Sequence, residues 1–397
     1  MINIAILGFG VVGSGIAEVL TMNKESIKKH VGDDINIKYI LDLRDFPDSP
    51  FADKVVHDFN IILNDDEVSI VAEAMGGLHP AFDFSEQALK KGKSVVTSNK
   101  EVVAEKGDVL LKLAAENNAR YLFEASVGGG IPVLRPLGTC LASNKINEIN
   151  GILNGTTNYI LTQMIDFGKT FEVALKEAQQ KGYAEANPTA DVEGIDACRK
   201  ICILAAIAFG KLINPSEVST QGISKIRLED VKNAADAGYA IKLIGQAKNE
   251  NGKMSVSVAP RLVPYTNLLS KVDDVFNGVL VNGNAVDDVI FIGRGAGMMP
   301  TASAVVADII DIAARPELKN QQWDKADKSD LADTNEKVCA YYICTKSSEE
   351  DVKKVFADYK ALSLSDGEFS FITTPIKKAD FDCKLAKVDA ISHFEIV

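Results

Sequence analysis

Residues 2–15 read INIAILGFGVVGSG. The apolar run 2–7 is a buried-strand pattern, and Gly8, Gly10 and Gly13 after it make G-x-G-x-x-G. A helix pattern follows, from Ile16 to about Leu20. Strand, glycine turn and helix together are the setting that a dinucleotide needs. The glycines permit a tight turn and close approach of backbone to a pyrophosphate, and the helix N-terminus offers N–H groups to phosphate charge. Gly8, Phe9, Gly10, Val11, Val12 and Gly13 are therefore candidate cofactor contacts. A tight turn without a ligand is the plain alternative.

Working outward, a second strand, INIKYIL, ends at Asp42-Leu43-Arg44-Asp45, late because residues 21–34 insert a helix and loop. An acid there hydrogen-bonds a ribose 2′-hydroxyl, whereas Arg44, with Lys54 beyond it, suits a 2′-phosphate. NADP is favoured over NAD on this ground, with a solvated Arg44 as the alternative. A strand at 68–73, a helix at about 80–91 and a strand SVVTSNK continue the alternation of a parallel doubly wound sheet. Such sheets bind ligands beyond the carboxyl ends of their strands, which nominates Gly76, Ser98 and Lys100. Lys100 opens a helix pattern at 101–117, where a cation is unfavourable unless a functional partner offsets it. RYLFEAS (120–126) reads as a further strand leading into VGGGIPVL. Glycine-rich carbonyls beside Glu124 suit a hard monovalent cation or Ca²⁺, against a simple hinge.

From about 136 to 300 the pattern changes to α+β. The strand INEINGIL ends in Asn154-Gly155-Thr156-Thr157-Asn158, where Thr156 and Thr157 read as helix caps and adjacent amides suit a carboxylate substrate. KGYAEANPTADVEGIDACRK (181–200) gathers Lys181, Glu185, Asp191, Asp196 and Lys200. Its part 182–194 is expected to be an irregular loop, and a helix is expected from near Asp196 to about Phe209. Asp196 and Lys200 then share a face. A surface ion pair is the bland reading. The wholly apolar ICILAAIAF after Lys200 argues instead for a semi-buried ammonium able to give a proton to a developing alkoxide. KMSVSVAPRLVP, VFNGVLVNG and DDVIFIG read as strands, and GRGAGMMPTASAVVADIIDIA (293–313) as a second glycine turn into a buried helix.

The chain has 397 residues, 46% hydrophobic, with a net charge of −12. That length predicts two or three domains, and the charge argues against nucleic acid or an anionic membrane as partner. No run is long enough to span a bilayer, and the N-terminus has no basic n-region. Six scattered cysteines, mostly in apolar runs, are expected to be buried free thiols in a reducing cytoplasm.

GFGVVGSG, TSNKEVVA, FEASVGGGIP, GILNGTTNYIL, KGYAEANPTADVEGIDACRK and GRGAGMMPTASAVVADI stand in the order and at about the intervals of homoserine dehydrogenase, which residues 1–315 resemble. The resemblance implies NAD(P)H-dependent interconversion of L-aspartate 4-semialdehyde and L-homoserine, on the route to threonine, methionine and isoleucine. It implies that Lys200 is the proton donor and Lys100 a second active-site lysine. Glu185 would bind the substrate ammonium, with Asp191, Asp196, Lys181, Gly155 and Thr156 lining the site. Glu124, Val127, Gly129 and Ile131 match a monovalent-cation site (Na⁺ or K⁺), and Gly297 a cofactor-contacting glycine. NADP(H) is preferred, NAD(H) is the other candidate, and a cytoplasmic homodimer is expected.

The expected architecture is a Rossmann-type domain (1–135, completed by a helix at about 297–315), an α+β substrate and dimerisation domain (136–300), and a small C-terminal domain (335–397). Residues 323–337 read as a linker. VCAYYIC, SSEEDVKKVFADY, strands near 361–364 and 368–373, residues 376–387 and AISHFEIV suggest βαββαβ, similar to the ACT domains found at this end of the family. The usual arginine of the first strand and the Asp-x-x-Gly turn are missing around Tyr341-Tyr342-Ile343-Cys344. A degenerate module serving assembly, not threonine feedback, is therefore expected. Two rival functions are another two-domain Rossmann amino-acid dehydrogenase and a non-catalytic NAD(P) sensor. NGTTN with GYAEANPTADVEG argues against the first, and intact Lys100, Glu185 and Lys200 against the second.

Overall fold

The N-terminal strand is β1 (Ile2–Leu7), with its last four residues buried. It lies in a parallel sheet with β2 (Ile35–Leu41), β3 (Val55–Val56), β4 (Val68–Glu73), β5 (Ser94–Thr97) and β6 (Tyr121–Leu122), in the order β3-β2-β1-β4-β5-β6. This is the doubly wound order, with its switch point between β1 and β4. The helices are α1 (Val11–Met22), α2 (Lys24–Val31), α3 (Phe59–Leu63), α4 (Ala81–Lys90), α5 (Lys100–Glu116) and α6 (Leu134–Gly138). The helix Met298–Ala314 returns to this half, and its Val305 and Ile309 share a core with Ile4, Ile6, Ile16 and Leu20. The computed structural model describes residues 1–365 and 367–397, which cluster into two units. The first comprises residues 1–145, 202–217 and 293–326.

The strand expected over 120–126 is a strand only at Tyr121–Leu122. Glu124–Ser126 turns away as a 3-10 helix because the Glu124 amide donates to Asp308 and its carboxylate is drawn to α6.

The second unit comprises residues 146–201, 218–292 and 327–397. It carries β7 (Ile146–Ile152), α7 (Gly155–Phe167), α8 (Phe171–Gln180) and α9 (Thr189–Val192). α10 (Ile195–Phe209) begins here and ends among residues of the first unit. The loop expected to be irregular over 182–194 thus contains one helical turn, α9. A ten-stranded sheet runs in the order Asp287–Arg294, Phe276–Gly283, β7, Tyr239–Glu250, Lys253–Pro264, Ala390–Ile396, Tyr341–Thr345, Glu368–Thr373 and Tyr359–Ser365, with Ser219–Thr220 beside Lys253–Pro264. Its last four strands, with helices Glu349–Val355 and Lys378–Leu385, make a βαββαβ unit of ferredoxin-like strand order. That unit extends the larger sheet by parallel pairing of Arg261 with Glu395 and Leu262 with Ile396. The buried Arg261 locks the junction, its Nε donating to Glu395 at 2.9 Å.

The cysteines are free, as expected, but Cys140, in the turn after α6, and Cys383, on the helix Lys378–Leu385, are exposed. Among the described residues no helix is long and apolar enough to cross a membrane.

Candidate active site

At the end of β1 the chain turns through Gly8, whose φ of +89° favours glycine, and a Cβ at Gly13 would overlap the Gly8 carbonyl oxygen. α1 starts directly at Val11. Gly10 gives it no side-chain cap, so the helix terminus presents main-chain N–H groups of the kind that bind phosphate. Asp42, just past β2, accepts the Phe9 N–H at 2.8 Å and grips Arg44 in a forked pair, Nε to Oδ1 and NH2 to Oδ2, each at 3.0 Å. Arg44 beside it holds the Asp42 carboxyl well below the usual carboxylate range. Arg44 itself is 63% exposed.

Lys54 does not join them. Its ammonium donates to the Ile37 carbonyl at 2.5 Å and to Asn36 at 3.4 Å, near the start of β2. The reason is direction: β3 runs parallel to β2, so the residue preceding β3 lies toward the amino end of β2, whereas Asp42 lies beyond its carboxyl end.

The loops after β4 and β5 are tied together. The Asn99 amide group donates to the Gly77 carbonyl at 2.8 Å, and its Oδ1 accepts the Glu101 and Val102 N–H groups at 3.2 Å. Asn99 is thus the cap of α5 and places the half-buried Lys100 as the first helical residue, next to half-buried Ser98. Gly297, with φ +122°, immediately precedes the helix Met298–Ala314.

Around the cation candidates, Gly128 (φ +74°) and Gly129 (φ +53°) turn the chain sharply between buried Val127 and Ile131. The Glu124 carboxylate is already committed. It accepts the N–H groups of Val133, Leu134 and Arg135 at 2.7, 2.8 and 2.7 Å and so caps α6. Among the described residues no group of three or more His, Cys, Asp or Glu could hold a metal.

In the second unit, β7 hands over to α7 through Leu153 and Asn154. Asn154, not Thr156 or Thr157, is the cap. Its Oδ1 accepts the Thr157 N–H at 2.9 Å. Its amide group donates to Asp191 Oδ1 at 2.7 Å and to Asp196 Oδ2 at 2.9 Å. Lys200 Nζ donates to the same Asp196 Oδ2 at 2.7 Å and to the Leu153 carbonyl at 2.8 Å. Asp191, Asp196 and Lys200 are therefore brought together, with Asn154 as the hub that sequence reading missed. An asparagine directly before a helix pattern is a cap signal, and that was the clue to it. Lys200 is 8% exposed, buried as its apolar helix suggests.

Gly155 and Thr156 open α7, and the Thr156 hydroxyl donates to the Tyr183 carbonyl at 2.6 Å. Glu185 stays exposed, and its main-chain carbonyl, accepting from Gln179, is what ties it down. Lys181 is drawn elsewhere. It lies one turn after Glu177 at the end of α8, pairs with that carboxylate at 2.9 Å and covers the Tyr159 ring at 5.2 Å. A cavity of about 360 Å³ in the first unit, beside Tyr121, Phe123 and Trp323, includes Glu124 but no other residue assigned to the reaction.

Residues 132–310 match the family model for homoserine dehydrogenase, and residues 8–124 match that for the homoserine dehydrogenase NAD-binding domain. The homoserine dehydrogenase of Neisseria gonorrhoeae is 44% identical over 315 residues, 79% of this chain and 72% of that protein. A solved homoserine dehydrogenase from Thiobacillus denitrificans aligns with a TM-score of 0.90 and 34% identity, covering 100% of this chain and 98% of that one. A hyperthermophilic archaeal homoserine dehydrogenase mutant, solved in complex with NADPH, aligns with a TM-score of 0.69 and 31% identity over 81% of this chain and 99% of that one. With this glycine turn, this doubly wound sheet and this buried lysine cluster, the chain belongs to the homoserine dehydrogenase family.

Proposed function

We propose that Lys200 is the proton donor in the reduction of L-aspartate 4-semialdehyde to L-homoserine. The observation that carries this reading is the buried ammonium held between the Leu153 carbonyl and Asp196. Hydride arrival at the aldehyde carbon leaves charge on its oxygen. A positioned acid that meets that charge contributes about 10²- to 10⁴-fold. Asp196 and Leu153 hold the ammonium, and Asn154 couples Asp196 to Asp191. Glu185, exposed, answers the substrate ammonium. The cofactor, when bound, supplies the hydride.

NADP(H) is the preferred cofactor, with Gly8 to Gly13, Gly76, Ser98, Lys100 and Gly297 as its contacts. Arg44 exchanges part of its pairing with Asp42 for a 2′-phosphate. The NADPH bound to the archaeal relative supports the phosphate form. Main-chain carbonyls at Val127, Gly129 and Ile131, with Glu124 nearby, hold a monovalent cation whose charge steadies that loop. The enzyme works as a cytoplasmic homodimer, and its C-terminal βαββαβ unit serves assembly; clear inhibition by millimolar threonine would overturn that last point.

The test is steady-state oxidation of NADPH and NADH with aspartate semialdehyde, for wild type and Lys200→Ala. Turnover that collapses in the variant while cofactor still binds is expected. A fully active variant moves the proton-donor role to Lys100.

A further inference from the structure

Glu73 ends β4 with its side chain wholly enclosed. It pairs across the parallel sheet with Thr97, the last residue of β5. Glu73 Oε2 accepts the Thr97 hydroxyl proton at 2.5 Å, and Oε1 accepts the Met75 N–H at 2.6 Å. The Thr97 oxygen in turn accepts the Asn99 N–H at 2.9 Å. The Asn99 side chain reaches back to the Met75 carbonyl at 3.4 Å and the Gly77 carbonyl at 2.8 Å while capping α5. One carboxyl is therefore the root of a bonded chain that joins loop 74–77 to loop 97–100.

Burying an acid costs desolvation, and here both of its oxygens act as acceptors, which an amide with a single acceptor oxygen cannot reproduce. We propose that Glu73 is a positioning residue for the cofactor: acting through Thr97, Asn99 and the Met75 amide, it holds Gly76, Ser98 and Lys100 in the arrangement that receives the nicotinamide half. The inference rests on the reading of those three residues as cofactor contacts.

The hydrogen-bond directions explain why charge matters. Ionised Glu73 accepts from Thr97, which leaves the Thr97 oxygen free to accept from Asn99. A protonated Glu73 must donate its own proton, and Thr97 is the group in reach. The Thr97 hydroxyl proton then loses its acceptor on Glu73 and turns away, and the Thr97 oxygen must accept from both Glu73 and Asn99, which weakens the link to Asn99. Burial pushes the Glu73 carboxyl up to about 7, against the bonds from Thr97, Met75 and Asn99. The titratable neighbours are few. On β6 the Tyr121 phenol is buried without a hydrogen-bond partner, feels the Glu73 charge and is itself pushed further up, so it stays neutral. On the helix Met298–Ala314, Asp311 is paired with Arg120, and Asp308, paired with Arg135, is itself pushed by burial up to about 7, so the slope lost in Glu73→Gln, not the wild-type slope alone, assigns the titration. On α4, Glu86 pairs with Lys90 and Asp83 with His79. Lys100 begins α5.

The sign for stability is opposite to that for binding. With its folded value raised above 4.5, Glu73 adds stability that is fully present below about 4.5 and is lost as pH rises through about 7. Ionisation thus weakens the fold while it tightens the cofactor loops.

The experiment is fluorescence titration of the full-length enzyme with NADH, which has no 2′-phosphate to titrate, between pH 5.5 and 8.5, with melting curves alongside. In wild type, Kd is expected to rise about tenfold as pH falls through 7, the size of one hydrogen bond to a charged group. Glu73→Gln is expected to bind about tenfold more weakly at pH 8 with no slope. Thr97→Val, which keeps the shape and removes the link, is expected to behave alike. Either variant keeping the wild-type Kd and slope overturns the proposal, as does Glu73→Gln losing melting temperature with the slope intact. Gly76→Leu separates the two readings, because a Cβ at Gly76 meets nothing within 4 Å. If Gly76→Leu leaves NADH binding untouched, the loop is not a cofactor contact. If it weakens binding and Glu73→Gln does not, the cofactor site stands and only the Glu73 role falls.

Discussion

Lys200 and Lys242 are both buried lysines beside the first turn of α7, and they do different work. Lys200 donates to the Leu153 carbonyl and to Asp196. Lys242, on the strand Tyr239–Glu250, donates to the Val272 carbonyl at 2.8 Å, to Asp273 at 2.8 Å and to Asn158 Oδ1 at 3.1 Å. Their hydrogen bonds are of the same kinds. The surroundings differ. Lys242 is fully enclosed, burial pulls its ammonium down, and its one carboxylate is half-exposed. Its Asn158 partner also donates to the Val272 and Phe276 carbonyls, so the set stitches α7 to the segment 272–276. Lys200 instead belongs to a chain of polar groups, Asp191, Asn154 and Asp196, that extends into the loop 181–194. Lys242 braces α7 against that segment, whereas Lys200 is continuous with the carboxylates of the loop, and its proposed role as proton donor rests on that difference.

The sharpest way to break this contrast is to truncate each lysine. Lys200→Ala is expected to lower kcat/KM of the folded enzyme for semialdehyde reduction by about 10²- to 10⁴-fold, beyond the stability lost by leaving the buried Asp196 without this donor. Lys242→Met should affect stability alone. It should lose about 2 kcal/mol in urea unfolding, because Asn158 and Asp273 lose a donor, while kcat of the folded enzyme stays within about threefold. If Lys242→Met lowers kcat as much as Lys200→Ala does, the division between brace and chemistry fails. A double-mutant cycle in kcat/KM on Asn154→Ala and Asp191→Ala should give a coupling of about 1 kcal/mol; additivity would remove Asn154 from the catalytic cluster. The smallest effect is expected for Lys54→Ala, which should leave the KM for NADPH as it is, whereas Arg44→Ala should raise it about tenfold and spare NADH. A raised NADPH KM in Lys54→Ala would mean that Lys54 leaves the Ile37 carbonyl when cofactor arrives.

The glycine turn and the alternation of strands and helices were legible because both are local. Gly13 answers a steric demand set by the Gly8 carbonyl five residues earlier, and a parallel sheet with crossover helices follows from period and order. Asp196 and Lys200 were also readable as a pair, since they lie one turn apart on α10. The hub between them was not, because Asn154 meets Asp191 and Asp196 across 37 and 42 positions. Lys181 and Lys54 take partners that the sequence did not announce, for a related reason. Their charge suited the expected ligand, but Glu177 one turn away and the carbonyl of a neighbouring parallel strand claimed them first. Glu124 was assigned to a cation on composition, and its carboxylate proved to cap α6 through amides 9 to 11 residues on.

By itself the sequence determined the doubly wound cofactor half, the helix that carries Lys200 and the family to which the chain belongs. These depend on short-range periodicity and on contiguous motifs. Only the tertiary structure decided which partner each of its many charges takes, and it brought Glu73 to the root of the two loops after β4 and β5. A charged side chain takes the nearest partner in space, and that partner is set by strand direction and helix packing as much as by position along the chain.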